Sequence, residues 1–501
     1  MKRVLVVGMG VPALVASRRH TGPGLRSAHL ATAIAARGHE VLLVAVLTAK
    51  EAAALGEERR AGEAAPPPGA GSPSRTRAGA SAVPGVELVT EDELLAPAMR
   101  RRLEAFAPDA VVGVTVYAAA LACRLRLGVP LWADVFGDIL AEAQAKAACT
   151  GSDWSLVHFW TLLRGVLEGA DRFSAVSVAQ SHALVGELGM AGRLSARTAG
   201  EPLVATIPCA AAVPAACCDR DLARRELGLD DAAFVLLVSG SVNTWCDVET
   251  LAAGVAAASP ALPRLRVLVT GGSIPGHDES SHARLMEALG AGGARVLDLG
   301  WQDSSRLPLV YAASDLALHV ERPLYERTLG AENRVVEWLA HGLPCVTTGL
   351  SETGRELVRD GLAFGCRTGD AEDLARAILE AASSPRLVRE AGRRGRDWVA
   401  AHRDPLATAA ALADWCDEPR AARDRDGARL VRVGLLTRPE TSVEMLEAYV
   451  AALPAREVAR RGLRWMARRA WAASRVPALA ARACSAAGLV VARFRASQRR
   501  W

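Results

Sequence analysis

Lysine is almost missing from this chain. It occurs only at Lys2, Lys50 and Lys146, so arginine carries nearly all the positive charge. Aromatic residues make up 4% of the 501 residues, which leaves Ala, Val and Leu to build the cores. No run reaches the ~18–20 apolar residues that a membrane-spanning helix needs. The best candidate, 110–123, is too short and stops at Arg124. The ten cysteines form no C-x-x-C pair and no metal-ligand spacing, Cys217 and Cys218 being merely adjacent. That points to reduced thiols in a cytosolic protein and away from a disulfide framework or a zinc site. Disorder is excluded as well, because half the residues are apolar and a chain this long can bury sizeable cores.

Charge is unevenly spread. Residues 455–501 hold twelve Arg and one acid, Glu457, a balance of +11. With the whole chain at +5, the remainder is mildly acidic at −6. Within the tail, Leu463, Met466, Ala467 and Ala470 share one helical face, flanked by Arg461, Arg468 and Arg469, with Trp465 and Trp471 nearby. Two readings stay open: a peripheral helix on an anionic membrane surface, and an appendage that packs on the body or on a partner. Nucleic acid is not an expected partner, since no base-reading or stacking module is visible.

Along the body, strands and helices alternate. Met1-Lys2-Arg3 ahead of an apolar run has the outline of a secretory signal, but 4–8 reads better as a first strand ending in glycine. A helix over 27–37 stops at Gly38, and a second buried strand follows over 41–47. Strand, helix and parallel strand in this order predict a doubly wound sheet. Residues 51–85, rich in Ala, Gly, Pro and Arg, are expected to be a flexible insertion. Further strands are expected over 110–116, 129–134 and 173–178. A second unit, 215–405, has expected strands over 234–239, 267–270, 296–299, 316–320 and 344–347. Its expected helices cover 248–258, 281–289, 333–341, 371–382 and 385–402. The fold class is therefore α/β: a first Rossmann-like domain over 1–214, a second over 215–405, a crossover helix over 406–420 returning to the first, and a basic, mostly helical tail over 421–501.

Several residues are candidates for chemistry. Gly8-Met9-Gly10 with Ala13 fits the dinucleotide fingerprint G-x-G-x-x-A weakly, because the helix starts later and no acid ends the second strand. Gly22 and Gly24 lie in Thr21-Gly22-Pro23-Gly24-Leu25-Arg26, just before a helix, where backbone N–H groups can approach an anion. The richest stretch is 316–350. Glu337, on a helix that stops at a glycine before a proline-led strand, can accept two hydrogen bonds from a ribose diol. An upstream acid can meet sugar hydroxyls. Asn333 and Arg334, at the start of the helix, favour a diphosphate. His319 on its strand reads as a buried, satisfied histidine, and His277-Asp278-Glu279 as a solvated loop.

At this point the chain resembles a known family. Glu337-Trp338-Leu339-Ala340-His341-Gly342-Leu343-Pro344-Cys345-Val346 is similar to the E-A-M-A-x-G-x-P-V-V segment of retaining GT-B glycosyltransferases of the "group 1" type. The glycine loop at Gly22, the run Val269-Thr270-Gly271-Gly272, and Asp298-Leu299-Gly300-Trp301 followed by 307–315 resemble other segments of that family, in the same order. The resemblance covers about 1–415. It implies two Rossmann-like domains facing a cleft, with sugar transfer from a nucleotide-sugar donor to an unidentified acceptor. Retention, no metal and no cofactor are also implied. It places Glu337 on the donor ribose, Gly22 and Gly24 near the phosphates or sugar, and Gly300 and Trp301 beside the base.

The pattern departs from the family in three places. Eight positions before Glu337 stands Leu329 where the family has its first acid; Glu326 is the favoured replacement, with a lengthened loop. The Arg and Lys expected after the first strand of the second domain are missing from the stretch around Asn243, so Arg334, Arg327 or Arg322 is left to supply the charge. No catalytic-domain His is evident, and Asp134 or Asp138 stands in the corresponding place, as an acceptor contact or as a cap of strand and helix. A donor-binding scaffold without turnover, and less favourably a nicotinamide oxidoreductase, are the rival functions. The expected location is cytoplasmic, with the inner face of a membrane as the peripheral site.

Overall fold

The structure, a computed structural model, describes residues 1–15, 20–63, 85–273, 278 and 280–425. Seven strands form the first sheet: β1 Arg3–Met9, β2 Glu40–Leu47, β3 Gly85–Thr90, β4 Ala110–Val114, β5 Leu131–Asp134, β6 Arg172–Ala175 and β7 Val204–Thr206. Their order is β3-β2-β1-β4-β5-β6-β7, and every pairing is parallel. The second sheet holds β8 Phe234–Ser241, β9 Leu265–Gly272, β10 Val296–Asp298, β11 Leu316–His319, β12 Cys345–Thr347 and β13 Phe364–Gly365. Its order is β10-β9-β8-β11-β12-β13, again all parallel.

A parallel sheet covered by helices on both faces needs strands that are apolar on both sides. β1 meets that need. Leu5 and Val7 enter the core on one face, Val4 and Val6 the core on the other, and all four are fully buried. β8 repeats the device with Leu236 and Val238 on one side and Val235 and Leu237 on the other. Helix Asn333–Ala340 ends in a Schellman motif. The N–H of Leu343 donates to Trp338 O at 2.9 Å and that of Gly342 to Leu339 O at 2.9 Å, with Gly342 at φ +77°. This turn lets Pro344 lead straight into β12.

The chain then crosses back. After helix Pro385–His402, the helices Pro405–Thr408 and Ala410–Asp417 lie on the first domain. Leu412, Trp415 and Cys416 share a core with Leu30, Ile34 and Trp132, and the Trp132 and Trp415 rings are 5.5 Å apart. The segment after them is pinned by polar contacts. Arg193 pairs with Asp424 (Nη2 to Oδ1, 3.0 Å), and Asp171 accepts from the Ala422 N–H at 2.9 Å.

Two expectations need revision. The segment 51–85 is not uniformly irregular: helix Ala49–Glu63 occupies its start and β3 begins at Gly85, while 64–84 lie outside the described residues. The first helix begins at Gly22 and not at 27, so Gly22 and Gly24 stand in its first turn and not in a loop before it. The basic helical tail over 455–501, and the membrane partner expected for it, also lie outside the described residues. Among the described residues, no helix is long and apolar enough to cross a membrane.

Candidate active site

In doubly wound sheets, ligands bind beyond the carboxyl ends of the strands where the strand order reverses. Here those points are the ends of β1 and β4 in the first sheet and of β8 and β11 in the second. The two domains meet nearby. Ser177 Oγ donates to Leu329 O at 2.6 Å, and the Val178 N–H to Glu352 Oε2 at 2.9 Å. A Cβ on Gly22 of the first domain would come within 3.5 Å of Asn333 of the second.

Glycine shapes the second-domain wall. Gly240 (φ +88°) and Gly271 (φ +96°) lie side by side at the ends of β8 and β9, and a Cβ on Gly271 would fall 2.2 Å from the Gly240 carbonyl oxygen. Without that atom the two loops close together. Gly240 in turn lets the Arg334 guanidinium lie flat against the loop, 3.2 Å from where its own Cβ would be.

Beneath this wall is a buried charged cluster. His319 Nε2 lies 3.1 Å from Glu321 Oε1 and 3.9 Å from Glu332 Oε1. Arg327 Nη1 reaches Glu321 Oε1 at 3.2 Å, and Ser351 donates its hydroxyl to Glu332. Burial works to raise the Glu321 carboxyl, but His319 and Arg327 outweigh it and hold the group below its usual range. Burial and the neighbouring Glu321 push Glu332 up. Trp245 gathers the cations above: the guanidinium carbons of Arg327 and Arg334 each lie 4.7 Å from its ring centroid. His319, Glu321 and Glu332 bring their ligand atoms within 4.8 Å of one another, yet Arg327 already supplies a positive charge on Glu321.

Arg334, half-buried, stands apart from the fully buried arginines. Arg26 is paired with Asp134, Arg193 with Asp424, Arg224 with Asp315 and Arg327 with Glu321. Among the described residues no carboxylate pairs with Arg334, whose Nη2 donates to the Ser241 carbonyl at 2.9 Å. Burial pulls its guanidinium below the ordinary value, and Arg327 adds to that. Of the other two candidate cations, Arg322 is drawn away to Glu249 at 2.7 Å, and Arg327 is pinned by Glu321.

The remaining expected residues separate into two groups. Asn333, Arg334 and Glu337 share one short helix, with Glu337 half-exposed and 3.5 Å from His341 Nε2. Gly300 (φ +59°) turns the chain so that Trp301 Nε1 comes 3.3 Å from the Cβ position of Gly272. Asn243 sits in the neighbouring loop and accepts from the Thr244 N–H at 2.8 Å. Glu326 lies on helix Tyr325–Leu329, which packs against helix Ile139–Thr150 of the first domain. Its Oε2 is buried without a partner among the described residues, and burial raises the carboxyl to about 7.

Three candidates belong to the framework. Asp134 is fully buried; its oxygens take Arg26 at 2.9 and 2.8 Å and the Ser174 hydroxyl at 2.6 Å, which leaves none to meet an acceptor. Asp138 caps helix Ile139–Thr150 through the Ala141 N–H at 2.8 Å. Gly24 is needed for packing, because a Cβ there would strike the Val11 carbonyl at 2.1 Å. The sequence reading missed the roles of Trp245 and Glu321, whose only local signal is their position just past β8 and β11.

Two family models match the chain. One described as "Glycosyl transferase 4-like domain" covers residues 21–194, and one described as "Glycosyl transferases group 1" covers 233–384. No curated protein matches. Among solved structures, sucrose-phosphate synthase from Thermosynechococcus elongatus superposes with a TM-score of 0.61 at 18% identity, over 83% of this chain and 99% of that one. HepE of Anabaena, in complex with UDP-glucose, gives 0.57 at 16% identity, over 83% and 100%. WaaG, a glycosyltransferase involved in lipopolysaccharide biosynthesis, gives 0.53 at 15%, again over 83% and 100%. With two parallel Rossmann-like sheets, one matched by each family model, the chain belongs to the group 1 glycosyltransferases and has their GT-B fold.

Proposed function

We propose that the protein transfers a sugar from a nucleoside diphosphate sugar to an acceptor hydroxyl, with retention at the anomeric carbon and without a metal ion. The observation that carries this is the Arg334 guanidinium, half-buried at the reversal point of the second sheet, with no carboxylate paired to it among the described residues. A charge partly withdrawn from water with no close ion-pair partner is costly, and an anionic ligand offsets that cost. Arg334 also opens helix Asn333–Ala340, whose N-terminal N–H groups favour negative charge. In this reading the donor diphosphate lies against Arg334 and that N-terminus, and charge developing on it as the sugar departs is met by groups already in place. Glu337, further along the same helix, takes the ribose hydroxyls, and Trp301 borders the base. Glu326 faces the sugar from the domain junction. Closure of the domains around the donor excludes water and limits its hydrolysis. The UDP-glucose bound to HepE and the sucrose-phosphate synthase likeness support a nucleotide-sugar donor.

Calorimetric titration with UDP and UDP-glucose tests the reading. A charge-assisted hydrogen bond contributes about 1.5–3 kcal/mol, so Arg334→Gln should weaken UDP binding by roughly ten- to a hundredfold. Glu337→Ala should weaken it as well. Wild-type affinity in both variants sinks the donor assignment.

A further inference from the structure

The proposed donor site occupies the carboxyl ends of the second sheet. At the amino ends of the same sheet lies a cavity of about 720 Å³, a size within the roughly 300–1,000 Å³ of small-molecule sites. Phe234 and Leu265, the first residues of β8 and β9, line it, as does Pro344, the residue before β12. Six steps of about 3.3 Å along β8 part Phe234 from Gly240, so the cavity is about 20 Å from the glycine wall of the donor cleft. It opens where the cores on the two faces of the sheet diverge at its edge. Tyr311 and Leu343 belong to one of these cores, Leu265 and Val388 to the other, and all four line the cavity. Its inner wall is therefore largely apolar.

The charged part of the lining is basic. Arg220, Arg264 and Arg389 contribute to it, against a single carboxylate, Asp315. That carboxylate is already occupied, because it accepts from both Arg220 and Arg224. Arg264 and Arg389 are exposed, and neither has an ion-pair partner among the described residues. Two guanidinium charges in the lining are thus left without an offset. The chain's own tail does not suit such a lining, since residues 455–501 carry a balance of +11.

Two free guanidiniums match one phosphate monoester, which carries about −1.5 to −2 at neutral pH. The planar fork of arginine also fits phosphate oxygens in pairs. We propose that this cavity is a second ligand site, remote from the donor cleft, and that it takes a phosphate monoester with an apolar body. The body lies against Tyr311, Leu343 and Val388, and the phosphate meets Arg264 and Arg389. The site does not depend on the donor assignment.

The cavity carries its own reporters. Cys217 and Cys218, both exposed, line it, and Cys149, also exposed, is not part of the lining. Alkylation of the full chain by iodoacetamide, followed by mass spectrometry, reads the reactivity of each thiol. 1-Naphthyl phosphate should slow the reaction at Cys217 and Cys218 severalfold and leave Cys149 unchanged. By calorimetry, 1-naphthoate, a monoanion with the same ring, and inorganic phosphate, which has no apolar body, should each bind roughly tenfold more weakly. Arg264→Ser and Arg389→Ser are surface changes that should leave the unfolding midpoint in place. Each should weaken 1-naphthyl phosphate roughly tenfold. Saturating UDP should not displace the probe. Unprotected Cys217 and Cys218, 1-naphthoate binding as tightly as the phosphate, undiminished affinity in both variants, or displacement by UDP would each overturn the proposal.

Discussion

Arg26 and Asp134, 108 positions apart, form a fully buried two-pronged ion pair at 2.9 and 2.8 Å. Arg26 also donates to the carbonyls of Pro208 and Ile207 at 3.0 and 2.8 Å, and Ser174, held by Trp132 Nε1, donates to Asp134. The pair thus joins the first helix to β5, β6 and the segment after β7. Removing one partner strands the other charge, which costs about 3–5 kcal/mol. Asp134→Ala and Arg26→Met should each lower urea-unfolding stability by that order. An apolar double replacement of similar volume should recover part of the loss. Equal stability of wild type and Asp134→Ala would return Asp134 to the list of candidate ligand contacts.

His29 ties the same helix to the returning C-terminal segment. Its Nε2 is 2.7 Å from Pro405 O and 3.3 Å from Thr408 Oγ1. Burial first, and the nearby Arg26 charge second, lower its pKa from 6.5 to about 4. The unfolded chain therefore takes up a proton near 6.5 that the folded chain refuses until about 4. Above pH 6.5 both states are neutral and the group is silent. As pH falls from 6.5 towards 4, protonation favours the unfolded chain, by up to about 3 kcal/mol at one kcal-scale step per pH unit. Urea midpoints measured between pH 7 and 4.5 should fall over this window, and His29→Gln should flatten that part of the curve. An identical slope in the variant would remove His29 as its source.

The strands of both sheets were legible where they are buried on both faces, as in β1, β2, β8 and β9, because a continuous apolar run has few other uses. The shortest edge elements escaped. β7 is three residues long and β13 two, too few for any period to show. Helix Ala49–Glu63 hid in a composition shared with the proline-rich stretch that follows it. Helix Asn333–Ala340 was legible because its stop at Gly342 and the exit through Pro344 act through local geometry. What could not be read was pairing at a distance: that Asp134 is spent on Arg26, that Glu321 holds Arg327, and that Trp245 sits between two guanidiniums. Those facts depend on which strand ends become neighbours, and no local spacing encodes them.

Glu326 should leave its mark on the pH profile. Burial raises its carboxyl to about 7, so it is mostly protonated below neutrality. If its charged form orients sugar hydroxyls, turnover should rise with pH through an apparent pKa near 7. Glu326→Gln should lower turnover and remove that limb, while UDP affinity, assigned in the proposed function to Arg334 and Glu337, should stay within about twofold. A profile for the variant that parallels wild type would assign the limb to another group.

The two glycines in the first turn of the first helix should respond differently to the same change. Gly24 has the Val11 carbonyl oxygen 2.1 Å from its Cβ position, and backbone cannot swing aside as a side-chain tip can. Gly24→Ala should therefore displace the start of the first helix and destabilise the fold by about 1–3 kcal/mol, the range for forcing extra volume into packed surroundings. A Cβ on Gly22 would meet only Asn333 Nδ2 at 3.5 Å and Phe136 Cε1 at 3.6 Å, ordinary contact distances, one neighbour from each domain. Gly22→Ala should leave the unfolding midpoint nearly unchanged, yet crowd the space between the domains and weaken UDP-glucose binding. Unfolding curves and calorimetry on the two variants separate these roles. A loss of stability at Gly22 matching that at Gly24 would mean that both glycines serve the packing of the loop and that neither serves the donor.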